Sequence, residues 1–231
     1  MIQALLVDLD DTLYEYAPSE AAGRARLGRL FSERLGVPEE AFELAYARAR
    51  DDVKSRCSTP SGHARLLYVH ELLHSLARGE DRLPRLALCR ELERAYWDAY
   101  LANASPRDRA RELLSSFRGR GGKIAIVTDL TLDVQLRKLE ALDLFGVLDA
   151  LVASEEVGED KPSPAPFVLA ARRLGVPLEA CAVIGDSDAK DGAGARALGL
   201  PFFHVRTDAS GTGMGLGDIE EDIYRRNGWK R

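Results

Sequence analysis

The stretch Ile2-Gln3-Ala4-Leu5-Leu6-Val7-Asp8-Leu9-Asp10-Asp11-Thr12 sets the reading of the whole chain. A mostly apolar run ends abruptly in acids, the pattern of a strand buried on both faces that emerges at its carboxyl end. Four more runs share this texture: KIAIV at 123–127, DALVA at 149–153, ACAVI at 180–184 and PFFHV at 201–205. Between them, 106–118, 132–143, 164–174 and 189–198 carry apolar residues at helical spacing, with stop signals at Gly119, Gly175 and Gly199. A short helix over 218–226 closes the chain. Strands alternating with helices predict an α/β fold, a doubly wound parallel sheet with right-handed crossovers.

Residues 15–104 break that rhythm. They hold Ala, Leu, Arg and Glu at helical spacing and no strand-like run. Breaks near Gly36–Pro38, Ser58–Gly62 and Gly79–Pro84 predict about four helices. The expected organisation is a core of residues 1–14 and 105–231, with an α-helical domain inserted at 15–104. An insert directly after the first strand would stand over the carboxyl end of the sheet, where open α/β sheets bind ligands, and would act as a cap.

The chain has 231 residues, 45% hydrophobic and 30% charged, enough to bury a core without disulfides or structural metal. Its 32 basic and 37 acidic residues give a net charge of -5, which argues against nucleic acid as a partner. Cys57, Cys89 and Cys181 are widely spaced with no CxxC pair, as reduced thiols of a cytoplasmic protein would be. No apolar stretch approaches the roughly 20 residues of a membrane helix, and the N-terminus lacks a secretory pattern. Gly211, Gly213, Gly215 and Gly217 lack the G-x-G-x-x-G spacing and read as a loop. Oligomeric state leaves no trace in the sequence.

Strand geometry points Asp8 and Asp10 roughly the same way. Two carboxylates in close approach need a cation or a shared proton; the plain alternative is that each acid caps a turn or a helix N-terminus. Magnesium, a hard ion that prefers oxygen, suits such a pair. With charge neutralised, one carboxylate can attack phosphorus and the other can move protons. The segment Gly185-Asp186-Ser187-Asp188, with Asp191 beyond, offers a further metal ligand at Asp186. Thr128-Asp129 offers a hydroxyl and backbone N–H groups to seat a phosphate. Lys161, in Gly158-Glu159-Asp160-Lys161-Pro162, offers an ammonium for phosphate and nucleophile, although a loop lysine on its own is normally solvated.

The order DxDxT, Thr after an apolar strand, Lys before a helix, then GDxxxxD is similar to that of the haloacid dehalogenase superfamily of phosphohydrolases. The resemblance covers residues 1–13 and 105–205, and the insert looks like the helical cap of the subgroup that carries it after the first motif. It implies a Rossmann-like core and a magnesium-dependent phosphatase acting on a small phosphorylated metabolite through an aspartyl-phosphate. Asp8 would be the nucleophile, and Asp10 the general acid and then the base. Thr128, Asp129 and Lys161 would bind the phosphoryl group. Asp8, the Asp10 carbonyl and Asp186 would hold Mg2+, with Asp191 supporting them. Dehalogenases of similar fold lack an aspartate at the place of Asp10, so phosphoryl transfer is favoured. Two positions depart from the pattern. Asp129 stands where Asn is common and brings negative charge near an anionic substrate; Lys190 also stands where Asn is common and can offset that charge.

Other functions stay open at this point. A phosphomutase uses the same core, and a non-catalytic module would bind phosphate without turnover. His70-Glu71-Leu72-Leu73-His74 matches the H-E-x-x-H of zinc peptidases, with Glu91 or Glu93 as a distant third ligand. On a helical wheel Leu66, Val69, Leu73, Leu76 and Ala77 form an apolar stripe with His63, His70 and His74 along one edge, which is how surface histidines border a core. Lys54, Arg56, His63 and Arg65 are the basic residues to meet substrate if this face turns to the phosphate site, and solvated surface charges otherwise.

Overall fold

The structure, a computed structural model, describes residues 1–57, 59–76, 82–207 and 212–230. Ser58, Ala77, Gly79 and Gly211, used above as breaks, stripe or loop, lie outside the described residues. The chain forms two compact units, Met1–Tyr16 with Ser105–Arg231, and Ala17–Ala104. Helices α1 (Tyr16–Leu35), α2 (Glu39–Arg56), α3 (Arg65–Leu76) and α4 (Arg82–Ala102) make up the inserted unit. The other unit holds strands β1 (Ala4–Val7), β2 (Lys123–Thr128), β3 (Ala150–Ala153), β4 (Cys181–Gly185) and β5 (Phe202–His204). Its helices are α5 (Ala110–Gly119), α6 (Leu132–Ala141), α7 (Ala165–Leu174), α8 (Ala193–Ala197) and α9 (Leu216–Asn227).

All strands pair in parallel, in the order β3-β2-β1-β4-β5. The α/β class read from the sequence is the one observed. Ala4, Leu6, Ala125, Val127, Cys181 and Val183 share one face and cluster with Phe167, Ala170, Ala171 and Leu174 of α7. The alternate residues Leu5, Val7, Ile124, Ile126, Ala182 and Ile184 are just as buried on the opposite face. Both faces are apolar, so the strands read as unbroken runs. Each fully buried Leu, Ile or Val contributes roughly 1.5–3 kcal/mol. The chain builds outward from β1 to β3, then returns to add β4 and β5 on the other side. That reversal opens a crevice at the carboxyl ends of the central strands.

Two helices differ from expectation. α5 starts at Ala110 instead of 106: Pro106 bridges to Tyr14, Arg107 N–H donates to Leu13 O at 2.8 Å, and Arg109 takes a φ of 66°. The expected helix 189–198 is split. A π-helical turn, Asp188–Gly192, precedes α8, and the N–H groups of Lys190, Asp191 and Gly192 all point at Ser187 O.

The inserted unit is built on a row of aromatic rings in tilted and edge-on contact, with Phe31 5.4 Å from Phe42, Phe42 5.9 Å from Tyr46, and Tyr46 6.2 Å from Tyr68. On α3 the buried face is Arg65, Tyr68, Val69, Leu72 and Leu73, while Leu66 and Leu76 are only half-buried. His63 sits in a 3-10 turn, Thr59–His63, so the three histidines do not share one helix edge. Arg65 is no solvated charge: its Nε donates to Tyr96 Oη at 3.0 Å, and its guanidinium lies 5.3 Å from the Tyr68 ring centre. No helix among the described residues is long and apolar enough to cross a membrane.

Candidate active site

The chain leaves β1 through Asp8 to Asp11 and turns back at once. Asp11 takes a φ of 60°, and its Oδ1 accepts the Tyr16 N–H at 3.0 Å. The turn returns Thr12 to the strand end, where its Oγ1 lies 2.9 Å from Asp8 Oδ2 and 3.2 Å from Asp186 Oδ1. The same oxygen accepts the Asp186 N–H at 3.1 Å. One hydroxyl proton can serve only one of the two carboxylates at a time.

Asp186 follows the end of β4. Gly185 before it has no side chain for a steric reason: a Cβ there would stand 2.3 Å from Asp191 Cγ. The missing side chain lets the Asp191 carboxylate lie against the strand. Lys161 reaches the same point from the loop before α7. Its Nζ donates to Asp8 Oδ1 at 2.5 Å, Asp191 Oδ1 at 2.6 Å and Val127 O at 3.1 Å. It is a buried lysine, its side chain 3% exposed.

Asp8, Asp186 and Asp191 each bring a carboxylate oxygen within 4.8 Å of the others. Lys161 answers one of these charges, so about two negative charges remain in a buried place. Burial first, then Asp191 and Asp186, push the Asp8 carboxyl well above the ordinary range against the pull of Lys161. Burial and Asp191 push Asp186 the same way. For Lys161, burial acts to lower the ammonium, but Asp8, Asp191 and Asp129 outweigh it and hold it raised. An all-oxygen, over-charged cluster fits a hard divalent cation and not a soft one.

Asp10 goes elsewhere. Lys138 of α6 donates to Oδ1 at 2.6 Å and to Oδ2 at 2.7 Å, and the Tyr14 hydroxyl also donates to Oδ1. Burial would raise Asp10, but Lys138, helped by Tyr14 and Gln135, keeps it below the usual carboxylate range. The cation expected between the Asp8 and Asp10 side chains is therefore, on the Asp10 side, a lysine. Thr128, at the end of β2, is buried, and its Oγ1 accepts from Gln135 Nε2 at 2.9 Å. Asp129 accepts the Lys161 N–H at 3.0 Å on Oδ1 and the Lys190 ammonium at 2.7 Å on Oδ2. The two departures from the family pattern thus compensate each other directly.

Tyr14, Gln135 and Lys138 escaped the sequence reading. Gln135 and Lys138 stand on the apolar face of an amphipathic helix, and their conflict with that pattern was the available signal. The H-E-x-x-H segment has none of this support. His70 and His74 are exposed, with rings 4.6 Å apart, and Glu71 is bonded to Arg56 at 2.6 Å. Glu91 pairs with Arg34 at 2.8 Å and Glu93 with Arg90 at 3.4 Å. Among the described residues only the aspartate cluster gathers three metal-ligating side chains.

The family described as haloacid dehalogenase-like hydrolase matches residues 2–199. The chain belongs to this family. A haloacid dehalogenase-like hydrolase is what its motifs and sheet lead one to expect. It is 39% identical over 202 residues to the ribulose-1,5-bisphosphate 5-phosphatase of Halopiger xanaduensis, covering 87% of this chain and 83% of that one. It is 32% identical over 207 residues to the glyceraldehyde 3-phosphate phosphatase of Methanopyrus kandleri, covering 89% and 84%. Its fold is similar to that of a 2-haloacid dehalogenase from Pseudomonas syringae, with a TM-score of 0.75 over 98% of this chain and 100% of that one, at 24% identity. The enzyme class read from the motifs, a phosphoric monoester hydrolase, is the class that the curated relatives carry in their names.

Proposed function

We propose that this haloacid dehalogenase-like hydrolase is a magnesium-dependent phosphatase that hydrolyses a small sugar phosphate through an aspartyl-phosphate on Asp8. The observation that carries the reading is the unanswered charge of Asp8, Asp186 and Asp191, which one lysine meets only in part. Asp8, the Asp10 carbonyl and Asp186, supported by Asp191, would hold Mg2+, which would supply charge neutralisation for the nucleophile and the phosphoryl oxygens.

This chain's residues do the rest. An Asp8 carboxylate oxygen bonds to phosphorus as the ester P–O bond breaks, and Lys161 and Thr128 hold the transferring group in line. Asp10 gives a proton to the departing oxygen and then takes one from the water that releases phosphate from Asp8. As an ionised acceptor Asp10 is ready for the second half; a dianionic phosphate brought beside it favours proton uptake for the first. Substrate choice is assigned to the inserted helical unit. The relatives' substrates favour short phosphorylated sugars. A cytoplasmic setting belongs to the same reading, supported by three cysteines that form no disulfide.

The test is a panel of phosphorylated metabolites that includes ribulose 1,5-bisphosphate, glyceraldehyde 3-phosphate and phosphoglycolate. Phosphate release is expected with Mg2+, falling at least ~100-fold in excess EDTA and returning when Mg2+ is restored. Undiminished release in EDTA would remove the metal from the mechanism. Phosphate moved within the substrate without release would point to a mutase, and binding without turnover to a non-catalytic module.

A further inference from the structure

Gln135 and Lys138 are polar residues on a buried helix face. Three positions apart on α6, they point the same way, and both are fully buried. Polar groups so placed cost stability unless partnered, and a buried ion pair is often no better for stability than apolar residues of the same volume. Their partners belong to three residues expected to face the reacting ester: Thr128, Asp129 and Asp10. Gln135 Nε2 donates to Thr128 Oγ1 at 2.9 Å and to Asp129 O at 2.6 Å; Lys138 Nζ forks onto both oxygens of Asp10 at 2.6 and 2.7 Å. The Lys138 side chain is 0% exposed, whereas that of Asp10 is 26% exposed. The ammonium is sealed from solvent while the carboxylate it grips is partly exposed, so the lysine acts on a ligand through Asp10. Tyr14 adds a second donor to the same carboxylate.

We propose that Lys138 is a positioning residue, which holds the Asp10 carboxylate in one orientation for proton transfer to and from the substrate oxygen. The inference rests on the phosphatase reading, in which Asp10 handles the leaving-group proton. With the ammonium gone, the carboxylate keeps the Tyr14 hydroxyl and the help of Gln135 but loses the donor that grips both of its oxygens. A misplacement of about 1 Å costs on the order of 10²-fold in rate.

The loss is specific to esters that need the proton. For Lys138→Met, kcat/KM is expected to fall about 100-fold on the best alkyl phosphate of the metabolite panel. On 4-nitrophenyl phosphate, whose phenolate leaves unprotonated, it is expected to fall less than about threefold, because kcat/KM reports only steps through formation of the Asp8 phosphoenzyme. Lys138→Arg, which keeps a cation, is expected to recover the alkyl ester rate to within roughly tenfold of the parent. Should Lys138→Met not fold, Tyr14→Phe removes the other anchor and is expected to show the same selectivity at about tenfold. Equal losses on the two esters, or none, overturn the inference and leave the phosphatase reading standing. Failure of the parent enzyme to turn over either ester overturns both.

Discussion

Asp8→Asn is expected to lower kcat by at least ~10⁴-fold and yet to leave a protein that melts no lower than its parent in magnesium-free buffer. The first part follows from bond making: an amide offers phosphorus no anionic oxygen, and a loss of 10⁴ is about 5.5 kcal/mol of barrier. The second part follows from charge. Removing Asp8's charge leaves Lys161 its 2.6 Å contact with Asp191 and relieves the excess of carboxylates. Because the folded Asp8 carboxyl is raised, first by burial, its contribution to stability is present below the ordinary aspartate value of about 3.9 and is lost as pH climbs through the raised value. Asparagine has no such loss. In EDTA, the melting temperature of the variant minus that of the parent should therefore grow as pH rises above about 4 and then level. Saturating Mg2+ should shrink the gap, since the parent has the stronger cation site. Substantial turnover by the variant would sink the assigned nucleophile, and a gap independent of pH would sink the electrostatic account.

What could be read from the amino-acid order alone follows the reach of each signal. The strands were visible because burial on both faces leaves unbroken apolar runs, and Asp8, Thr128, Lys161 and Asp186 were visible because each lies at or beyond the end of such a run. Lys138 was invisible as a partner of Asp10. A polar residue on the apolar face of α6 signals a lysine that turns inward, but the two are far apart in the chain and nothing local names Asp10 as its partner. The start of α5 was misplaced for a similar reason. Pro106 and Arg107 are compatible with a first helical turn until one knows that Leu13 and Tyr14 run alongside and take their backbone. Asp129 and Lys190 were legible as opposite departures, and only coordinates could show that they meet at 2.7 Å. In each case the missing information is a long-range pairing of charges or backbone.

Lys161→Met should fail in the opposite way to Asp8→Asn, losing the fold's stability along with its chemistry. The ammonium sits 2.5 Å from Asp8 and 2.6 Å from Asp191, with side-chain exposures of 3%, 9% and 2%. Removing one partner from a buried ion pair costs roughly 3–5 kcal/mol, because the remaining charges are stranded away from water. At about 2–4 °C per kcal/mol for a protein of this size, the melting temperature should drop by roughly 6–20 °C in EDTA. Three stranded carboxylates are also a stronger lure for a cation. Saturating Mg2+ should therefore raise the melting temperature of Lys161→Met by more than it raises that of the parent, recovering part of the deficit by mass action. Activity does not return with it: the transferring phosphoryl group has lost a fixed positive donor, worth on the order of 10²–10³ in kcat. Melting curves with and without Mg2+, beside kcat at saturating Mg2+, separate these effects. A variant that melts within a degree or two of the parent in EDTA would mean that the carboxylates share protons instead of depending on Lys161, and the charge imbalance on which the metal site is argued would be absent.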